Sequence, residues 1–406
     1  MAFEFSFSPE QRLLKRSARA FCRDEIEPYL PADDWTGHGG ESPLHLVKKL
    51  QDHGYFGMPV PRDLGGAGMG EIGYCLVFEE IAAVDSSIAT IFGAHTGIGV
   101  APIYLFGNEE QRERYVRPMA QGKAIAAFAL TEPSAGSDAA SIKTTAERDG
   151  DAWILDGTKI WCSNGNFADT LVVFAVTDET LGAHGGVTAF IVEKGTDGLR
   201  VGTIEDKLGI RQSNTAELVF EGCRIPKENV LGNVGEGFIV ALTALDGGRV
   251  GLGAATLGAS KRLLEDCVHR VNKRNRFGKT IGESQNVQWM LADMATDIHL
   301  AEYAVYHAAA LTDRYYDRIA KGEPVPRSLR DQVSRAAAVV KIHCSEMSGR
   351  AGEAAIRIHG GDGLKTRYGV ERAFRDQIIT EIYEGTNEIQ RQIIARELLQ
   401  GVGLSD

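Results

Sequence analysis

The chain has 406 residues, room for two or three domains and a large core. Its 43% apolar and 24% charged residues are an ordinary globular mixture, and a net charge of −11 argues against a protein built to neutralise phosphate backbones. No run of eighteen apolar residues suggests a membrane span, and MAFEFSFSPEQ has neither the basic start nor the apolar core of a signal peptide. Six cysteines (Cys22, Cys75, Cys162, Cys223, Cys267, Cys344) stand singly with no CxxC pair, which predicts reduced thiols in a cytoplasm, no disulfide scaffold and no metal site.

The first third reads helical. Ser8-Pro9-Glu10-Gln11 forms a capping box with proline at the first helical position, and Leu13, Leu14, Ala18 and Phe21 follow on one face. After a Pro- and Gly-bearing loop (residues 31–43), Leu44, Val47, Leu50 and Phe56 predict a second helix. Residues 68–73 match the pattern GxGxxG. No apolar strand precedes them, Pro59 and Pro61 interrupt the approach and no βαβ unit follows, so a structural loop is expected there. Residues 73–105 are apolar and predict one or two buried helices, and residues 108–120 a short charged one.

The middle changes character. Runs at 124–130, 143–149, 153–162, 170–176, 187–193, 199–205 and 215–222 are strand-like and separated by Gly, Asp, Asn and Ser. That spacing predicts an antiparallel β-barrel or sandwich. Helical patterns return at 236–273, 285–321 and 328–359, with Gly247, Gly248 and Gly251 weakening the first. The chain is thus a multidomain α+β protein: an N-terminal α-helical domain (1–122), a middle β domain (123–230) and a C-terminal helical domain (231–406).

One carboxylate stands out near the end. Glu384 is followed by Gly385 and Thr386, and Ile389, Ile393, Ile394 and Leu398 then recur at helical spacing, with Thr386 as the N-cap. Glycine beside a carboxylate permits close approach of a ligand. Chemistry alone leaves an idle surface Glu as the commoner explanation.

Five segments change that balance: FALTEPSAGSD (128–138), GTKIWCSNG (157–165), RNRFGKTIGESQ (274–285), IHGGDG (358–363) and IYEGTNEIQR (382–391). With them the chain resembles the acyl-CoA dehydrogenases, FAD-dependent flavoproteins, from residue 8 to about 400. The resemblance implies a C-terminal four-helix bundle behind the helical and β domains. It implies that Glu384 is the catalytic base removing the α-proton of an acyl thioester as the β-hydrogen leaves as hydride to flavin N5. The thioester carbonyl would be held by the backbone N–H of the base and a ribityl hydroxyl, with Gly385 allowing the approach.

For the cofactor, the resemblance implies that Thr131 and the backbones of Phe128 and Leu130 meet the isoalloxazine edge. Ser137 would lie between flavin and thioester, and Trp161 and Ser163 against the ring. Arg274, Phe277 and Gln285 would grip the pyrophosphate and adenosine of a neighbouring subunit's FAD, with Gly360, Gly361 and Thr386 on the pyrophosphate. Arg357 stands where Gln is usual and adds a cation there or points to solvent. Glu388, also in place of Gln, suits a ribose hydroxyl. For Trp161 the residue pattern alone also allows a core strand position.

Some relatives carry the base just before the Arg of an LDxxR segment. Here that segment is Leu245-Asp246-Gly247-Gly248-Arg249, and the position is Gly248, so Glu384 has no rival. Asp246 is assigned to the substrate side and Arg249 either orders that region or forms a structural ion pair. Phe92, Ile98 and Ile103 are bulky and favour a short or branched acyl group. The expected partners are an acyl-CoA, electron-transferring flavoprotein as acceptor, and further copies of the chain in a homotetramer. The alternatives are an acyl-carrier-protein-linked acyl dehydrogenase, an oxygen-using acyl-CoA oxidase and, least in keeping with the charge, a nucleic-acid-binding relative.

Overall fold

A computed structural model of the chain describes residues 6–30 and 42–399. Helix α1 (Pro9–Phe21) starts on the capping box: the Gln11 amide donates to the Ser8 hydroxyl at 3.1 Å and the Ser8 amide to Gln11 Oε1 at 2.9 Å. Ala18 and Phe21 are its buried face, while Leu13, expected there, is 60% exposed and Leu14 packs at the core edge instead. Helix α2 (Leu44–Asp52) passes through a 3-10 turn at Tyr55–Gly57 that delivers Phe56 to the core. The loop expected at 31–43 lies almost wholly outside the described residues.

The GxGxxG segment has no strand directly before it, but only Gly68 and Met69 are loop as expected, and residues 70–73 form the first turn of a helix. A 3-10 turn (Arg62–Leu64) leads into helix α3 (Gly70–Ala82). A nearly continuous rod follows: α4 (Ser86–Gly93), a π-helical stretch (Ala94–Val100) and α5 (Ala101–Phe106). Both the rod and the long helix α6 (Gly237–Lys273) are apolar and long enough to cross a membrane, but 78% of the apolar window of each is buried inside the protein. They are core helices.

The middle layer holds strands β1 (Ala126–Ala129), β2 (Thr145–Asp149), β3 (Ala152–Ser163), β4 (Thr170–Val176), β5 (Val187–Glu193), β6 (Leu199–Ile204), β7 (Thr215–Pro226) and β8 (Val230–Leu231). They form one sheet in the order β6-β7-β3-β2-β4-β5-β8, with β1 alongside β4. The seven expected strand runs are all present, and β8 is added. The sheet is not a closed antiparallel barrel: among the described residues its end strands β6 and β8 do not pair, and β1 and β2 run parallel to β4. Parallel pairing needs a long crossover. The forty residues from β1 to β4 supply it, with the β2–β3 hairpin inside, and strand spacing alone does not reveal such a return. β4 and β5 are buried on both faces, as central strands under helices must be.

The C-terminal part is the expected bundle. Three long helices, α6, α7 (Gln285–Ala320) and α8 (Arg327–His359), are followed by a short helix α9 (Val370–Gln377). The fourth bundle helix is the short α10 (Asn387–Leu399), which packs on α8. The glycines expected to weaken α6 do not break it, because neighbours occupy the space a side chain would fill. A Cβ on Gly247 would lie 2.1 Å from the Tyr316 hydroxyl, one on Gly248 2.8 Å from the Glu384 carboxylate, and one on Gly251 2.6 Å from the Tyr74 hydroxyl. Close packing outweighs roughly 1 kcal/mol of lost propensity per glycine. One hydrophobic core runs from α1 and α3 through α6, α7 and α8. Inside it buried Glu79 accepts from Lys15 and Lys261, both at 2.8 Å, and from the Tyr306 hydroxyl, tying four helices together.

Candidate active site

The turn that carries Glu384 lies between a 3-10 turn (Ile378–Glu381) and α10. Glu384 has φ 58° and Gly385 φ 85°, two left-handed residues in a row. For Glu this conformation costs about 1–3 kcal/mol and persists only where surroundings enforce it. Here they do. Arg249 Nε donates to the Glu384 carbonyl at 2.9 Å, and Gln390 Nε2 donates to the carbonyls of Glu384 and Gly385 at 3.3 and 3.1 Å. The Ile389 amide donates to the Thr386 hydroxyl at 3.4 Å, so Thr386 caps α10 as the sequence predicts.

The Glu384 side chain points the other way. Its Oε2 is sealed from solvent and has no hydrogen-bond partner. Burial pushes its pKa up to about 7, against the pull of Arg249 and Lys341. The carboxylate lies against α6 at Gly248: a Cβ there would be 2.8 and 2.9 Å from its oxygens and 2.8 Å from Ile98. The two alternative base positions of the sequence therefore address one point in space. Replacing Gly248 with Ala must shift the carboxylate. The expected outcome is a folded protein with kcat reduced roughly ten- to a hundredfold; an unchanged kcat would show that the carboxylate's position there is immaterial.

Behind the turn, Arg249 Nη1 pairs with buried Asp246 at 2.7 Å, so Arg249 is both an ion-pair member and a clamp on Glu384. Three supports were not legible in the sequence. Fully buried Lys341 donates to Asn387 Oδ1 at 2.7 Å, and its pKa is lowered to about 8 by burial, which Glu384 partly opposes. Gln390 is the second. Tyr74 of α3 is the third, its hydroxyl one turn along α6 from Gly248, at Gly251. Lys341 has a faint signal: it interrupts an apolar helix face with Ala337, Ala338 and Cys344. Of the bulky residues expected around an acyl group, Phe92 and Ile103 are core, and Ile98 lies against Gly248 as the Glu384 carboxylate does.

The sheet supplies the second wall. Trp161 is not a core strand residue: it is 56% exposed with φ 58°. A register shift between Lys159 and Cys162 against β7 turns it out of the alternation, while the Ile160 amide donates to the Thr131 carbonyl at 2.9 Å. The segment 128–138 is held from below by a buried ion pair. Lys159 Nζ meets Glu132 Oε1 at 2.7 Å and the Leu130 carbonyl at 3.0 Å, and Glu132 accepts from the amides of Lys143 and Thr144. This leaves Thr131 and Ser163 partly exposed and Ser137 exposed, with Phe128 and Leu130 in the strand end beneath. Helix α4 joins the two walls. Asn164 Nδ2 donates to the Ile91 carbonyl at 3.0 Å, and neighbouring Thr90 hydrogen-bonds Tyr383.

The remaining expected residues lie on the bundle. Arg274 ends α6, Gln285 opens α7, and Phe277 tips the hairpin between them. Phe277 and Gly278 both have positive φ, as a two-residue type I′ turn requires, and the Phe277 ring is fully exposed. Gly360 and Gly361 follow α8, with open space where a Cβ would stand. Arg357 pairs with Glu353 at 2.6 Å on an exposed face, and Glu388 is exposed in the first turn of α10. These features fit a large planar dinucleotide. An indole and a phenyl ring are held outward on left-handed backbone, two exposed glycines leave open space beside the backbone although the Gly360 amide itself closes α8 on the Arg357 and Ile356 carbonyls, and a buried carboxylate oxygen has no partner.

Fold and site together fit an oxidoreductase that holds a flavin. The comparisons agree. The family models "Acyl-CoA dehydrogenase, N-terminal domain", "middle domain" and "C-terminal domain" match residues 8–123, 127–223 and 235–399. An acyl-CoA dehydrogenase of Bacillus subtilis is 41% identical over 97% of this chain and 98% of its own. A short-chain specific acyl-CoA dehydrogenase of Clostridium acetobutylicum is 38% identical over 98% and 100%. The structure of butyryl-CoA dehydrogenase from Megasphaera elsdenii superposes with a TM-score of 0.89 at 36% identity, covering 98% of this chain and all of that one. The chain belongs to the acyl-CoA dehydrogenase family: it is an oxidoreductase of acyl-CoA dehydrogenation with FAD as its cofactor.

Proposed function

We propose that this chain converts a short saturated acyl-CoA to its trans-2-enoyl-CoA, with Glu384 as the base. The observation that carries the reading is the sealed, unpartnered Glu384 Oε2 with its raised pKa. The α-proton of a thioester is a weak acid, and a carboxylate stripped of water is a stronger base than a solvated one. Bound FAD supplies the hydride acceptor for the β-hydrogen. Arg249 and Gln390 hold the Glu384 carbonyl, and Asp246, Arg249 and Gly385 form the substrate side with Ser137. Phe128, Leu130, Thr131, Trp161 and Ser163 meet the flavin ring. Gly360, Gly361, Thr386, Glu388 and Arg357 serve the phosphate and ribose side.

Arg274, Phe277 and Gln285 serve the FAD of a neighbouring copy in a homotetramer. The uncovered Phe277, together with exposed Trp289, Leu300 and Tyr303 spaced along one face of α7, supports such a contact. The enzyme is cytoplasmic and its electrons pass to electron-transferring flavoprotein. Anaerobic titration with a series of acyl-CoAs tests the reading: bleaching of the flavin is expected with a short member, and no bleaching with any member would sink it. Peroxide formed at the turnover rate without an added acceptor would instead mark an oxidase.

The base must be ionised to act. Because burial raises its pKa to about 7, kcat/KM rises with pH through about 7 and levels off above it. A profile flat from pH 5.5 to 8.5 would remove Glu384 from the role.

A further inference from the structure

Resting on that assignment of the base, we propose that Tyr74 is the stop that ends the acyl-chain pocket and limits the enzyme to short acyl groups. Tyr74 comes from α3, away from both the flavin wall and the Glu384 turn. It is 1% exposed, and its ring is clamped by Phe78 and Phe92 at centroid distances of 5.2 and 5.4 Å. Its hydroxyl reaches into the seam between α6 and the π-helical part of the rod. There it would lie 2.6 Å from a Cβ on Gly251 and 2.7 Å from one on Gly97. Both glycines make room for that oxygen.

The seam begins at Glu384. Its carboxylate lies on Gly248, with Ile98 beside it, and Gly251 is the next turn of the same helix face. Three residues of α-helix rise about 4.5 Å, the length of only a few methylene groups. An acyl tail running from Glu384 along α6 therefore meets the Tyr74 hydroxyl at about butyryl length. Electrostatics agree with this position: burial foremost, then Glu71 and, more weakly, Glu384 push the Tyr74 phenol pKa upward, so both carboxyls lie near the ring.

Beyond Tyr74 there is space. A cavity of about 590 Å³ is lined by Tyr74, Gly97, Val100, Tyr316, Glu71 and Asp313. Tyr74 is a wall common to this cavity and to the seam. The limit on chain length is thus one side chain and not a solid core behind it.

The test uses binding, so that it does not depend on turnover. The flavin-loaded Glu384→Gln enzyme is titrated with butyryl-, hexanoyl- and octanoyl-CoA, following the flavin absorbance. With Tyr74 present, octanoyl-CoA binds at least about tenfold more weakly than butyryl-CoA. In Tyr74→Ala or Tyr74→Leu that penalty disappears. Tyr74→Phe keeps the clamped ring, folds as the parent does, and eases the hexanoyl penalty by losing one oxygen. Equal binding of butyryl- and octanoyl-CoA with Tyr74 in place overturns the proposal. So does a flavin-bearing Tyr74 variant, Phe included, with the parent's chain-length profile. Bleaching at the parental rate in the Glu384→Gln enzyme would sink the base assignment instead, and the chain-length comparison would still report on Tyr74.

Discussion

Replacing Glu384 with Gln lowers kcat by about three orders of magnitude and leaves the flavin bound. General base catalysis is worth roughly 10²–10⁴ in rate, and the position on α6 against which the Glu384 carboxylate lies is Gly248, which offers no carboxylate in its place. The substitution spares the turn, since Arg249 and Gln390 grip the backbone carbonyl of residue 384 and not its side chain. It also carries a stability signature. The carboxyl pKa is raised by burial to about 7 in the folded chain, against an ordinary value near 4.5. A raised carboxyl pKa means that the folded state holds a proton the unfolded state has lost, so its contribution weakens as pH rises. Gln has no proton to lose. The Tm advantage of Glu384→Gln over the parent grows from about pH 4.5 to about pH 7 and is constant above. Thermal melts across that range read it directly, and a difference that shrinks with pH would contradict a carboxyl whose Oε2 is sealed and unpartnered.

Arg249→Leu is expected to damage both stability and rate. It strands Asp246, which is buried and has Arg249 as its salt-bridge partner. Removing one member of a buried pair costs about 3–5 kcal/mol, because the remaining charge has no water to return to. It also frees the Glu384 carbonyl, so a left-handed residue loses its strongest donor and relaxes toward ordinary backbone. A carboxylate displaced by an ångström is enough for roughly a hundredfold in kcat. The two effects separate in the double variant Asp246→Asn/Arg249→Leu, in which the stranded charge is gone. Tm recovers there while kcat stays low. If kcat recovers with Tm, Arg249 is a structural ion pair and nothing more.

The order of helices, sheet and helices was legible because hydrophobic period changes at about residues 123 and 235, and period depends only on neighbours in sequence. The Ser8 box and the Thr386 cap were legible for the same reason: a cap is satisfied within four residues. The parallel β1–β4 pairing was not, because it joins strands that forty residues separate. Trp161 shows the limit in one residue. Alternation alone allows a buried strand position, the motif points to an outward ring, and the register shift against β7 leaves the indole exposed.

By itself the sequence determined the family, the cofactor and the three-part architecture, since each rests on motifs and periods in a fixed order, and it singled out Glu384 as the candidate base. Only the tertiary structure decided the surroundings that suit that carboxylate to the proposed role. Its left-handed turn is held by Arg249 from 135 positions away in the chain. Its charge is balanced against Lys341 inside another helix, and its neighbours Gly248 and Tyr74 come from two more. A pKa and a pocket length are properties of what surrounds a group. Here the surroundings are assembled from α3, the rod, α6, α8 and α10, and only packing brings them together.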